Sequence, residues 1–288
     1  MSRVLTVATG LLSVRRLYLA VVALCLIAEF VQAETLHVTI SDGGNVNANA
    51  PYYYYKNLLE LALEKTRENY GDFSISSIQS GGIERERAML VAGVGIDVMW
   101  ASVTRERAAK LRVIDIDLLK NLNNYRVLLI NQQDQLLFDS VASLDDLKKM
   151  HTGSGPHWTD GIILKDNGFN IIYTSSYEGL FKMLAAQRFH FISRGLHEIG
   201  NDLELYNAYG LVQEKNLLLK YDQPVRYCFF VNKNNKGLAE RIERGLKMAQ
   251  ADGSFDRLFY QMPSFALGET ILLGSHRTIL ELKNRTDQ

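Results

Sequence analysis

The residues whose types and spacing best suit chemistry are Ser102, Thr104, Arg105 and Arg107, at the end of the stretch Ile96-Asp-Val-Met-Trp-Ala-Ser-Val-Thr-Arg-Glu-Arg107. An apolar run ending in Trp100-Ala101-Ser102 reads as a buried strand, and Thr104 is placed to cap the helix that follows. In open α/β sheets a strand breaking into a helix marks the carboxyl edge, where ligands bind. Free backbone N–H groups, small hydroxyls and a guanidinium converging there would suit an anion. A plain capped helix with two solvated arginines is the alternative.

Other constellations offer less. His151, His157, His190 and His197 show no metal-ligand spacing and have no cysteine beside them, so no metal is expected. No Gly-x-Ser-x-Gly elbow follows a strand, which removes the usual hydrolase signature. Gly153-Ser154-Gly155-Pro156 is glycine-rich but lacks the Lys-Ser/Thr of a nucleotide phosphate loop. No catalytic residue and no cofactor are assigned.

The elements that must position Arg107 start after a leader. Arg3, Arg15 and Arg16 form a basic n-region, Leu17 to Ala28 is an apolar run too short to span a bilayer comfortably, and Val31-Gln32-Ala33 presents small residues for cleavage. Residues 1–33 are therefore expected to be a signal peptide cleaved after Ala33, with export to the periplasm. The remaining chain carries 29 basic and 31 acidic residues, a balance that disfavours a nucleic-acid partner. Cys228 is then the one cysteine left, so no intramolecular disulfide is expected and stability must come from apolar packing.

Strands are expected at Thr35–Ser41, Phe73–Ile78, Ile96–Ser102, Arg112–Ile116, Tyr125–Asn131, Ile171–Thr174, Phe189–Ser193 and Val225–Val231. Helices are expected from Pro51 to about Tyr70, over Ile83–Val91, Asp160–Asp166, Ser176–Ala186 and Gly195–Leu205, and over Leu238–Ala251, the last with a basic outer face. The tail beyond Phe265 is mixed. The alternation argues for α/β lobes with mainly parallel sheets flanked by helices. Two apolar strands, near Tyr125 and Val225, bracket a middle block. The chain thus leaves one lobe, builds a second and returns through two crossing segments: 34–124 and 223–288 form the first lobe, 125–222 the second. Such a plan leaves a cleft that closes by hinge motion.

Over roughly Leu36 to Tyr260 the chain resembles the family 3 extracellular solute-binding proteins, the type 2 periplasmic binding fold. The resemblance is carried in order by Ile96-to-Arg107, by Ser143-Leu144-Asp145-Asp146-Leu147, and by Tyr177-Glu178-Gly179-Leu180 with Leu184-Ala185-Ala186-Gln187-Arg188-Phe189. Ala251-Asp252-Gly253-Ser254-Phe255 completes it. The resemblance implies that Arg107 clamps a ligand carboxylate and that Ser102 hydrogen-bonds it. It also implies that the turn Gly153–Trp158 faces them, with His157 and Trp158 as contacts. The family's ammonium-binding aspartate falls near Gly195, in Ser193-Arg194-Gly195, where no carboxylate stands. Arg194 brings a second cation instead, which favours a di-anionic or carboxylate-only ligand unless Glu198 replaces the missing acid.

Trp100 is expected either to stack on ligand or to pack its lobe, Thr104 to join the anion site, and Tyr53 and Tyr54 to line the cleft. The expected function is a monomeric periplasmic receptor for a small polar, carboxylate-bearing, amino-acid-like solute, serving an ABC-type transporter or a sensor on a separate membrane polypeptide. An enzyme on the same fold, dehydratase- or lyase-like with Glu198 as general acid, is the rival.

Overall fold

The computed structural model describes residues 35–42, 51–274 and 276–285. The expected leader through Ala33 and most of the loop before Pro51 lie outside the described residues. β1 (Leu36–Ser41) forms because its alternation buries Val38 and Ile40 on one face, and it pairs in parallel with β2 (Phe73–Ile78). β3 (Val98–Ser102) lies beside β1: the Asp97 backbone N–H donates to the Thr39 carbonyl at 2.8 Å, and the Thr39 N–H donates to the Asp97 carboxylate at 2.8 Å. β4 (Leu111–Ile114) completes this lobe with a late strand, Tyr227–Asn232, inserted between it and β3.

The second sheet contains β5 (Tyr125–Asn131), β6 (His151–Ser154), β7 (Asn170–Tyr173), β8 (Phe191–Gly195), β9 (Leu211–Gln213), β10 (Leu217–Tyr221) and, at its edge, Thr278–Leu282. Numbering continues as β11 for Tyr227–Asn232 and β12 for Thr278–Leu282.

Neither lobe carries a mainly parallel sheet: β1 and β2 pair in parallel by themselves, β3, β11 and β4 form a separate antiparallel sheet, and the seven-stranded sheet is mixed. The connections give the reason. β3 and β4 run toward the edge where Ser102 lies; β11 starts there, with Tyr227 opposite Ser102, and must run away from it. β5 likewise starts opposite the end of β8, with Arg126 facing Gly195. A strand entered from a crossing segment begins at the cleft and so runs antiparallel to neighbours that finish there. The same register moves β8 two residues beyond its expected position, which places Arg194 and Gly195 inside the strand; the following helix is only Ile199–Leu205.

The long helix expected over 51–70 is two pieces, Pro51–Lys65 and Arg67–Tyr70. At the break, the buried Thr66 hydroxyl donates back to the carbonyls of Ala62 and Leu63 at 3.2 and 3.0 Å. The tail forms helices Ser254–Tyr260 and Pro263–Gly274 before β12. β12 pairs in parallel with β10, so the last strand sits on the second sheet, not with the first group of strands to which residues 223–288 were assigned. An apolar alternation in β12 that buries Leu280 and Leu282 against that sheet accounts for the placement.

Helix Lys236–Ala251 crosses helix Pro51–Lys65 at Gly245, where a Cβ would lie 1.9 Å from the Ala62 carbonyl oxygen. Gly245→Ala should therefore destabilise the protein by about 1–3 kcal/mol through overpacking against backbone that cannot move aside. Chemical denaturation checks this, and an unchanged midpoint would place the two helices farther apart.

Candidate functional site

Arg107 sits in a six-residue helix, Arg105–Lys110, held at its start by the Thr104 hydroxyl, which accepts the Arg107 N–H at 3.2 Å. That turn sends the guanidinium back under the end of β3, where Nη1 donates to the Ser102 carbonyl at 2.8 Å. The same nitrogen reaches the Thr159 hydroxyl at 3.4 Å, at the start of helix Thr159–Asp166 beside the second sheet. Arg107 is 9% exposed, and among the described residues no carboxylate stands within ion-pair distance of it. Its fork keeps free donors for a ligand.

The guanidinium faces a cavity of about 280 Å³ between the two sheets. Of the sequence-predicted residues, Ser102, Arg107, His157, Trp158 and Arg194 lie on its wall. Four do not. Trp100 lies two residues back along β3, stacked on Tyr55 at 5.4 Å and flanked by Tyr52 and Phe229. Tyr54 is buried, its hydroxyl donating to the Leu118 carbonyl at 2.6 Å and its ring packed on Phe265. Tyr53 packs edge-on against Tyr52. Thr104 is used as the helix cap and faces a neighbouring cavity of about 240 Å³ with Glu84, Arg87 and Glu106.

Arg194 is not a free second cation. Its Nε pairs with Asp202 at 2.5 Å, and its Nη2 contacts Glu198 at 3.3 Å and the Tyr177 hydroxyl at 3.0 Å. The Trp158 ring covers the guanidinium at 5.2 Å. Burial opposes its charge, but Asp202 and Glu198 raise its pKa well above the ordinary value. Arg126 was not singled out from the sequence. It pairs with Asp160 at 3.2 Å and with Glu198 at 3.3 Å, and donates to the Ser193 carbonyl at 3.3 Å. Glu198 joins the two: it bridges both arginines and accepts the Gly195 N–H at 2.7 Å. Against the penalty of burial, Arg194 and Arg126 hold its carboxyl well below the usual carboxylate range.

Two guanidiniums and three carboxylates give this wall a formal charge of minus one, facing the positive charge of Arg107; burial raises the carboxyls of Asp160 and Asp202, while Glu198 is held ionised between the two arginines. A carboxylate, that of Glu198, thus stands beside Gly195, although none occupies that position in the sequence. Asn123, Tyr221 and Tyr227 also line the cavity and were missed. Each lies on or next to a crossing segment, and a segment joining two lobes has to pass the cleft between them. The Asn123 side-chain amide donates to the Val225 carbonyl at 2.9 Å, and the Asn124 side chain accepts the Val225 N–H, so the two crossings are fastened together.

No protein-family profile matches the chain, and no curated protein matches it. Solved structures do. An ancestral arginine-binding protein bound to arginine is 18% identical over 81% of this chain and 99% of its own, with a TM-score of 0.57. A histidine kinase sensor domain with similarity to periplasmic binding proteins is 14% identical over 81% of this chain and 97% of its own, with a TM-score of 0.59. This is the two-lobe fold of the periplasmic binding proteins. The GluR0 ligand-binding core of Nostoc punctiforme in complex with L-glutamate shares it at 12% identity, over 80% of this chain and 99% of its own, with a TM-score of 0.56. Among the described residues of this two-lobe chain, no helix is long and apolar enough to cross a membrane.

Near this site, on helix Ile83–Ala92, burial pushes the Glu86 carboxyl up to about 7. Because its folded pKa lies above its unfolded value, folding is not penalised below about pH 4.5 and loses stability as pH rises through 7. Glu86→Gln should remove on the order of 3 kcal/mol of that loss. Denaturation curves at pH 4.5 and pH 8 test this; an equal effect of the substitution at both pH values contradicts it.

Proposed function

We propose that this chain is an exported solute-binding receptor that captures an α-amino-acid-like zwitterion by closing its two lobes, on behalf of a membrane transporter or sensor. One observation carries the reading: a buried guanidinium without a carboxylate partner faces, across one cavity, a wall with one excess negative charge anchored on Glu198. A ligand carboxylate on Arg107 and a ligand ammonium on the remaining lone pair of Glu198 complete both halves. A di-anion satisfies only the first, which favours the amino acid over the carboxylate-only ligand.

The fold supports lobe closure as the capture step. Residues 34–124 and the return from 223 make the first lobe and 125–222 the second, with β12 added to the second. Residues 1–33, read as a cleaved leader, account for delivery to the periplasm. The solute neighbours bind, as their descriptions say, includes arginine and L-glutamate, in line with an amino-acid ligand. The enzyme alternative draws no support from Glu198. A general acid must hold a proton near neutral pH, whereas Arg194 and Arg126 keep this carboxyl ionised.

Thermal-shift and small-angle scattering measurements with the twenty L-amino acids should find at least one that compacts the mature protein and raises its melting temperature by several degrees. Arg107→Ala should weaken that ligand about 10- to 100-fold, the range for a lost charged hydrogen bond. Absence of compaction with every amino acid would end this reading.

A further inference from the structure

His197 is the one side chain on the cavity wall with a buried nitrogen, Nδ1, that has no hydrogen-bond partner among the described residues. The residue is 5% exposed and fixed in place: a Cβ on Gly195 would lie 2.5 Å from its Cε1, and the rings of Tyr227 and Phe265 stand 6.2 Å away on other sides. A proton on Nδ1 would bury an unsatisfied N–H, so the neutral ring carries its proton on Nε2. Burial, opposed by Glu198 and reinforced by Arg126 and Arg194, pushes the imidazole pKa down to about 4, so the ring stays uncharged at neutral pH. The cavity therefore offers a neutral donor on the wall where Arg126 and Arg194 are already paired.

The acids on this wall are committed too. Asp160 pairs with Arg126 at 3.2 Å, and Glu198 has two guanidiniums and a backbone N–H. Once a ligand ammonium takes the last position on Glu198, a second ligand cation would meet Arg126 and no unpaired carboxylate.

We infer that His197 determines specificity, donating its Nε2–H to a side-chain oxygen of the bound amino acid, so that the site selects side chains ending in a carbonyl or carboxylate and rejects those ending in a cation. The inference rests on the amino-acid reading above and sharpens it, and it separates this chain from the neighbour described as bound to arginine.

The test is isothermal calorimetry at pH 7.5 on the mature chain with L-glutamine, L-norvaline, whose side chain has no oxygen, and L-arginine. The wild type should bind L-glutamine at least tenfold tighter than L-norvaline, with no binding of L-arginine at millimolar concentration. His197→Phe, which keeps a packed ring but no donor, should bring L-glutamine within about twofold of L-norvaline and leave L-norvaline unchanged. His197→Gln should restore the difference. L-arginine binding as tightly as L-glutamine overturns the inference. So does a His197→Phe variant that weakens L-glutamine and L-norvaline alike, because that outcome marks a structural role. If all three ligands fail on the wild type and the twenty-amino-acid panel fails as well, the proposed function falls and this inference with it. If amino acids bind without the glutamine preference, only this inference falls.

Discussion

A guanidinium taken out of water without a carboxylate beside it is among the more expensive groups a protein can bury, since desolvation is uncompensated and the group stays charged. Arg107 is held in that condition. Burial lowers its pKa, and its partners are a carbonyl and a hydroxyl, both neutral. The cost is tolerable because the charge faces a cavity, and it falls when an anion enters. The surrounding structure acts to keep Arg107 there: β3 ends at Ser102, Thr104 turns the chain, and a helix too short to do more returns the side chain beneath the strand end. The contact to Thr159 adds a direct tie between the elements of the two sheets.

The opposite wall works by the reverse arrangement. Arg126, Arg194, Asp160, Glu198 and Asp202 satisfy one another so fully that little freedom remains, and Trp158 and Tyr177 cover Arg194 from the side. A connected network of this kind fixes its members' positions more than it adds stability, since desolvating five charges offsets much of their attraction. Rigidity is what a binding wall needs. Glu198 is its centre, and its one remaining lone pair and the neutral His197 beside it are what the wall still offers to a ligand.

Much of the architecture was legible in the chain. The alternating run read at Thr35–Ser41 and the apolar run at Tyr125–Asn131 became strands, and the helix expected over Ser176–Ala186 forms over Tyr177–Ala185 with Ser176 as its cap. The directions of β5 and β11 were not legible, because apolar alternation carries no information about which end of a strand meets the hinge. β12 was unreadable for a related reason: a five-residue edge strand with two buried leucines has too weak a pattern to name its partner.

The same division runs through the site. Residue types and spacing alone identified a strand edge, a cap and an arginine that could hold an anion, because those depend on contacts within about ten residues. The family resemblance then singled out Ser102 and Arg107, and both line the cavity. Whether Arg194 was free depended on Asp202 and Tyr177. Whether a carboxylate stood near Gly195 depended on how a turn folded Glu198 back. Whether Arg126 faced the cleft depended on the register of β5 against β8. Charge balance in a buried cavity is a property of groups brought together from distant positions. Only the packed chain sets those distances, and Coulomb attraction and desolvation both turn on them.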